Sequence, residues 1–190
     1  MKVKPKVLRL IAYSYLGKND FANAKKYVDE FWAREKDPFV PQDYTLKAEV
    51  YAGAGVPCEE LYGLFLDGAA ADSVLQSKID YLNSAADYFN AKKCLKQEAD
   101  MKMVINATRP RPRPDEFVRI GTIYLRAGDL QKADSLFTAY TSAFPDSIYG
   151  YYWRGYVNSL IDTSLMVEPY ISNILVNYQR ALDKIGRAHV

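Results

Sequence analysis

The chain has 190 residues, with 25 Lys plus Arg against 23 Asp plus Glu, giving a formal net charge of +2. That balance excludes a dedicated nucleic-acid or polybasic membrane binder, because counterion release needs clustered positive charge. Hydrophobic residues at 49% and aromatics at 14% supply enough apolar surface for a buried core and exclude a disordered tail.

In chain order, Leu8, Ile11, Ala12 and Tyr15 fall at i, i+3, i+4 and i+7, one stripe of a helix, and Ala24 and Val28 start a second stripe that Pro38 stops. Tyr44, Ala48 and Tyr51 repeat the first stripe. Gly53-Ala54-Gly55 reads as a helix end, since a third glycine and a flanking strand are both missing. The helix expected over 57–66 carries Glu60 where its counterparts carry Ala. Leu82, Ala85, Ala86 and Phe89 open a third hairpin, whose second helix has Glu98 beside Ala99, a one-residue slip.

The TRPRPRP segment at 108–114 is a proline-locked connector ahead of Asp115, which is expected to cap the next helix. A polyproline ligand is the competing reading; the stiff turn is preferred because well-formed hairpins flank it. The clearest hairpin follows. Phe117, Ile120, Gly121 and Tyr124 form one stripe, Gly128 suits a left-handed helix end, and Asp129 suits a cap. Leu130, Ala133, Leu136, Phe137 and Tyr140 form the second stripe, ended by Pro145. Tyr151 and Gly155 continue the series, with Arg154 and Asn158 at normally apolar places and a link at 162–169 before a last helix.

A small residue thus recurs at 12, 48, 86, 121 and 155. Where two helices of a hairpin cross, a large side chain would hold the backbones apart. The segment 117–145 resembles a tetratricopeptide repeat, with Phe117, Ile120, Gly121, Tyr124, Ala133, Phe137 and Pro145 in the family's places and Tyr140 departing from the usual small residue. The wider layout is similar to repeat proteins of Bacteroidetes bacteria, on Ala133-Asp134-Ser135-Leu136-Phe137, Gly150-Tyr151-Tyr152-Trp153-Arg154 and Pro169-Tyr170.

The resemblance implies an all-α, right-handed superhelical solenoid of about five antiparallel helix hairpins. It is expected as a single array over 1–184, with repeats near 5–38, 41–70, 75–110, 114–147 and 148–184. It further implies a concave groove lined by first helices: Lys6, Arg9 and Tyr13; Thr45 and Glu49; Asn83, Asp87 and Asn90; Val118, Arg119, Thr122 and Arg126; Tyr152 and Tyr156. The implied function is a noncatalytic scaffold for a protein or peptide partner. A homotypic spacer that self-associates through its array ends is the alternative. RNA binding is disfavoured by Glu49, Asp80 and Asp87. The chaperone-tail receptors of the family are disfavoured too, since only Arg9 and Tyr13 stand where their carboxylate-binding set begins. Relatives of this kind are often exported and carry further repeats, so a cell-envelope setting and an internal fragment are expected.

No cofactor or metal is expected: Cys58 and Cys94 form no CxxC, and His189 is the sole histidine. Asp80, Asp87 and Glu49 could approach one another, yet no catalytic pattern accompanies them, and the chain is read as no enzyme. No apolar run reaches the roughly 18 residues of a membrane span, and no signal peptide is read. The last six residues, Ile185-Gly186-Arg187-Ala188-His189-Val190, match the translation of a common sequencing adaptor, so 185–190 is expected to be a non-native tail.

Overall fold

The computed structural model describes residues 3–187. These residues form ten helices and no strand: α1 (Pro5–Gly17), α2 (Phe21–Arg34), α3 (Pro41–Gly53), α4 (Cys58–Ala70), α5 (Leu75–Ala91), α6 (Leu95–Thr108), α7 (Pro114–Arg126), α8 (Leu130–Ala143), α9 (Ile148–Ile161) and α10 (Tyr170–Arg187). The fold class is therefore all-α. The chain divides into two compact units, Met1–Gln97 and Glu98–Val190.

In the first unit, Ala12 of α1 meets Ala24 and Val28 of α2 and Leu46 and Val50 of α3, one buried cluster that joins a hairpin to its successor. Tyr15 and Tyr27 stack beside it with ring centroids 5.5 Å apart. Trp32 stacks on Phe39 at 4.0 Å, which pins the link between α2 and α3, and the Lys47 ammonium lies 4.3 Å from the Trp32 ring. Within α4, Leu61 is buried and Glu60 exposed, so the apolar place that Glu60 fails to fill is taken by its neighbour. Phe65 of α4 then packs on Tyr88 and Phe89 of α5, at 5.1 and 5.4 Å.

Cys58 and Cys94 form a disulfide with Cα atoms 6.3 Å apart. Each cysteine stands at the start of the second helix of its hairpin, and their separation of 36 residues equals one repeat. That spacing is the signal that a search for CxxC passes over.

In the second unit, Gly121 is a point of close approach. A Cβ there would come 2.1 Å from Phe137 Cζ, so glycine is what lets α7 and α8 cross. Gly155 does the same for α9 against α10, where a Cβ would meet the Tyr178 ring at 3.1 Å. Ala12, Ala48 and Ala86, the counterparts in the first unit, are all buried. Phe117 stacks on Tyr140 at 5.1 Å, which accounts for the aromatic at 140.

Two expected caps have different outcomes. Asp129 accepts from the Lys132 backbone N–H at 3.2 Å, and Gly128 has φ +74, as the left-handed helix end requires. Asp115 caps nothing: α7 starts one residue earlier, at Pro114, whose missing N–H suits the first helical position. The Asp115 carboxylate instead accepts from Arg113 Nε and Nη2 at 3.1 and 2.8 Å, and the Arg113 backbone N–H donates to Asn106 Oδ1 at 2.9 Å. In α6 the slip takes effect, with Ala99 and Glu98 both buried.

The polar residues of the last hairpin form a network. Asn158, fully buried, donates to Asp134 Oδ1 at 2.6 Å, and Arg154 Nε reaches the same oxygen at 3.3 Å. Trp153 stacks on Phe137 at 5.9 Å. These contacts tie α8 to α9 and give the A-D-S-x-F and G-Y-x-W-R segments a shared physical purpose. Beyond α9, the Asp162 carboxylate holds the link to α10, accepting from Ser164 N–H and Oγ–H, Met166 N–H and Val167 N–H. Helix α10 includes Ile185, Gly186 and Arg187 of the expected tail; Ala188, His189 and Val190 lie outside the described residues.

Gly121→Leu is expected to cost about 1–3 kcal/mol through overpacking, read as a lower Tm, whereas Leu at exposed Gln131 leaves Tm nearly unchanged. Lys132 is no neutral control: it pairs with Asp100 at 2.5 Å and lies over Tyr124. Asp134→Ala removes the shared acceptor and is expected to cost about 1–3 kcal/mol in urea unfolding.

Candidate functional site

The residues expected to line a groove divide according to what the fold already asks of them. In the first unit, Arg9 of α1 is engaged internally. Its Nη1 sits 3.0 Å from Asp43 Oδ1, a buried carboxylate that also accepts from the Val40 backbone N–H at 3.0 Å. The Arg9 guanidinium also lies 6.0 Å from the Phe31 ring centroid. Arg9 thus joins α1 to the start of α3. Tyr13 donates to the Gln42 carbonyl at 3.4 Å, and burial followed by the nearby Asp43 charge pushes its hydroxyl pKa up. Thr45 Oγ1 lies 3.3 Å from the Pro41 carbonyl and 3.4 Å from the Tyr81 hydroxyl.

Glu49 is half-buried, and burial raises its carboxyl above the usual value while Lys92 pulls the other way. Tyr88 of α5 feels that carboxylate: burial first and Glu49 second raise its hydroxyl. On α5, Asn83 is half-buried, and Asp87 and Asn90 are exposed. Lys6 is exposed and pairs with Asp37 at 3.3 Å.

In the second unit, α7 touches α9 directly. A cleft of about 480 Å³ opens at this contact, lined by Pro114, Asp115, Val118 and Arg119 of α7, Tyr140 of α8 and Tyr149 of α9. Arg119 and Arg126 are exposed along α7, and Thr122 between them donates to the Arg119 carbonyl at 2.7 Å. Tyr149 also lines a second, larger cleft of about 630 Å³ with Ile148, Tyr152, Trp153, Tyr178, Ala181, Leu182 and Ile185. Tyr152 and Tyr156 flank Trp153 edge-on, at 5.6 and 5.8 Å. The expected Val118, Arg119 and Tyr152 are thereby brought to two clefts that share Tyr149.

Tyr149 was not among the residues expected to line the groove, although it stands three residues before Tyr152 and so on the same helix face. Leu182 of α10 was not among them either, and Ile185 fell within the expected tail. Among the described residues no group of three or more His, Cys, Asp and Glu side chains could hold a metal ion, and no helix is long and apolar enough to cross a membrane.

No family model matches the chain, and no curated protein is similar to it. Among solved structures, it is similar to the C-terminal part of a TPR repeat-containing protein from Cytophaga hutchinsonii, at 16% identity and a TM-score of 0.47 over 97% of this chain and 69% of that one. It is also similar to MamA, at 16% identity and a TM-score of 0.46 over 100% of this chain and 99% of that one.

A carboxyl whose pKa is raised by folding holds its proton more tightly in the folded state. Its contribution therefore favours folding at low pH and is lost as pH rises through the folded value. Glu49→Gln is expected to raise Tm at neutral pH and to leave it unchanged near about pH 3, where both side chains are neutral; thermal melts at the two pH values check the sign. In the second unit the hairpins cross at small residues, Gly121 against Phe137 and Gly155 against Tyr178.

Proposed function

We propose that the chain is a noncatalytic protein-interaction scaffold whose second unit holds an extended peptide along α7 and α9. The observation that carries this reading is the pairing of exposed cations with exposed aromatic rings on one surface. Arg119 shares a cleft with Tyr149, Arg126 stands two turns further along α7, and Tyr149, Tyr152 and Tyr156 are 65%, 47% and 38% exposed. Guanidinium groups bind carboxylates through paired hydrogen bonds, and tyrosine offers rigid apolar area with a polar tip. The peptide that fits has an acidic group beside a large apolar side chain.

In the first unit, taken by itself, Asn83, Asp87 and Asn90 on α5 are proposed as a polar face able to meet peptide backbone. There Arg9, Tyr13 and Thr45 act through the bonds they make within the unit. The Cys58–Cys94 disulfide supports an oxidising compartment, in line with the exported setting that the family resemblance implies.

A random peptide library displayed on phage and panned against the chain tests the reading. Selected peptides enriched in Asp or Glu next to an aromatic or aliphatic residue are expected. Arg119→Ala plus Arg126→Ala should weaken them at least tenfold, about 1.4 kcal/mol, while Lys102→Ala changes nothing. Selected peptides insensitive to both arginines and to Tyr149→Ala would reject the site. Tight binding of a single-stranded RNA that falls steeply with salt would replace the reading with another.

A further inference from the structure

Both cysteines stand at the N-terminal ends of helices. Cys58 is the first residue of α4, and Cys94 immediately precedes Leu95, the first of α6. The N–H groups of a first helical turn have no partner within the helix, and their partial positive charge favours a thiolate over a thiol. Charge in the flanking sequence differs between the two. Within four residues, Cys94 has Lys92, Lys93 and Lys96 against Glu98, whereas Cys58 has Glu59 and Glu60 and no cation. Both cysteines are only half-buried, which leaves their bond open to a thiol from solvent.

From this we infer that the Cys58–Cys94 bond is a site of reversible thiol–disulfide exchange, with Cys94 as its leaving sulfur. A small-molecule thiolate attacks Cys58 Sγ, the S–S bond breaks, and its electron pair departs on Cys94 Sγ, where the start of α6 and the neighbouring lysines stabilise the charge. A second thiol then attacks the mixed disulfide and leaves joined to the first, which releases Cys58. In total two thiols are oxidised to one disulfide, and two electrons and two protons pass to the protein.

Backbone bonds place the two sulfurs whether or not they are joined. The Cys94 N–H donates to the Phe89 carbonyl at 2.9 Å, with Lys93 before it at φ 62. The Val56 N–H donates to the Tyr51 carbonyl at 3.0 Å, with Gly55 before it at φ 86, just ahead of Cys58. Each cysteine thus follows a closed helix end. Phe65 of α4 packs on Tyr88 and Phe89 of α5, so the two hairpins also meet through side chains that exchange leaves untouched. With Cα atoms 6.3 Å apart, inside the ordinary range of about 4.4–6.8 Å, the thiols can rejoin without backbone movement. An inert staple is the competing assignment, and such a bond resists the glutathione pool.

Equilibration of the oxidised chain in glutathione buffers without denaturant, followed by acid trapping and alkylation, tests the inference. In about 5 mM reduced glutathione carrying about 1% of its disulfide, more than half of the chain is expected as the dithiol, where a staple stays closed. Circular dichroism is expected to show the same helix content before and after. Alkylation of the reduced chain across a pH series, read for each cysteine by peptide mass, should give Cys94 a midpoint below about 8.5, the ordinary thiol value, and below that of Cys58. Lys92→Gln plus Lys93→Gln should raise the Cys94 midpoint and lower the ratio of dithiol to disulfide by about threefold. Arg119→Ala plus Arg126→Ala should change neither reading, which separates this site from the peptide site. A bond that stays closed in that buffer overturns the proposal. So does loss of helix on reduction, a Cys94 midpoint no lower than that of Cys58, or a lysine pair without effect.

Discussion

Close approach of backbones at each hairpin crossing is the constraint on which this structure depends. Helix pairs interdigitate only when the side chain at the crossing is small enough to let the facing ring reach the backbone. Phe137 lies where the side chain of residue 121 would be, and Tyr178 crowds the equivalent place at 155. Alanine suffices at 12, 48 and 86, where the residue is buried. Once that spacing is met, the remaining stripe residues have somewhere to bury themselves, and the surface left over becomes available for binding.

The polar residues that seem out of place in the repeat pattern follow a second constraint: a buried polar group must find a partner. Asn158 and Arg154 converge on Asp134, so one carboxylate serves two donors from the following helix. Arg9 and Asp43 make the corresponding link in the first unit, where the acid also closes the start of α3. Such bonds give orientation that an apolar contact lacks, since a rotated neighbour would leave a buried charge without a partner. They also explain why a basic residue expected to face a ligand is committed to its own fold.

Hairpins and their small-residue crossings were legible in the sequence because helical periodicity and glycine placement are local properties. Asp129 and Gly128 could be assigned for the same reason. The start of α7 was misread, since an Asp beside a Pro offers two plausible first residues and only the backbone decides between them. Glu60 yielding its place to Leu61 is a shift of one position, which local pattern alone does not resolve. Groove residues were legible less evenly. Exposure of Arg119, Arg126, Tyr152 and Tyr156 follows from helix phase, but the engagement of Arg9, Tyr13 and Thr45 depends on residues 29 to 36 positions away in the chain. Helix phase reaches no further than its own helix.

The covalent bond between Cys58 and Cys94 closes a ring of chain whose two ends sit at equivalent places in successive hairpins. Under tension the polypeptide is pulled through that bond and bypasses the residues between. With a separation of 36 residues, on the order of 120 Å of contour, at about 3.4 Å per residue, stays out of reach of a stretching force. Pulling on the intact chain would therefore lengthen it by that much less than pulling on the reduced one, and α5 would be spared direct load.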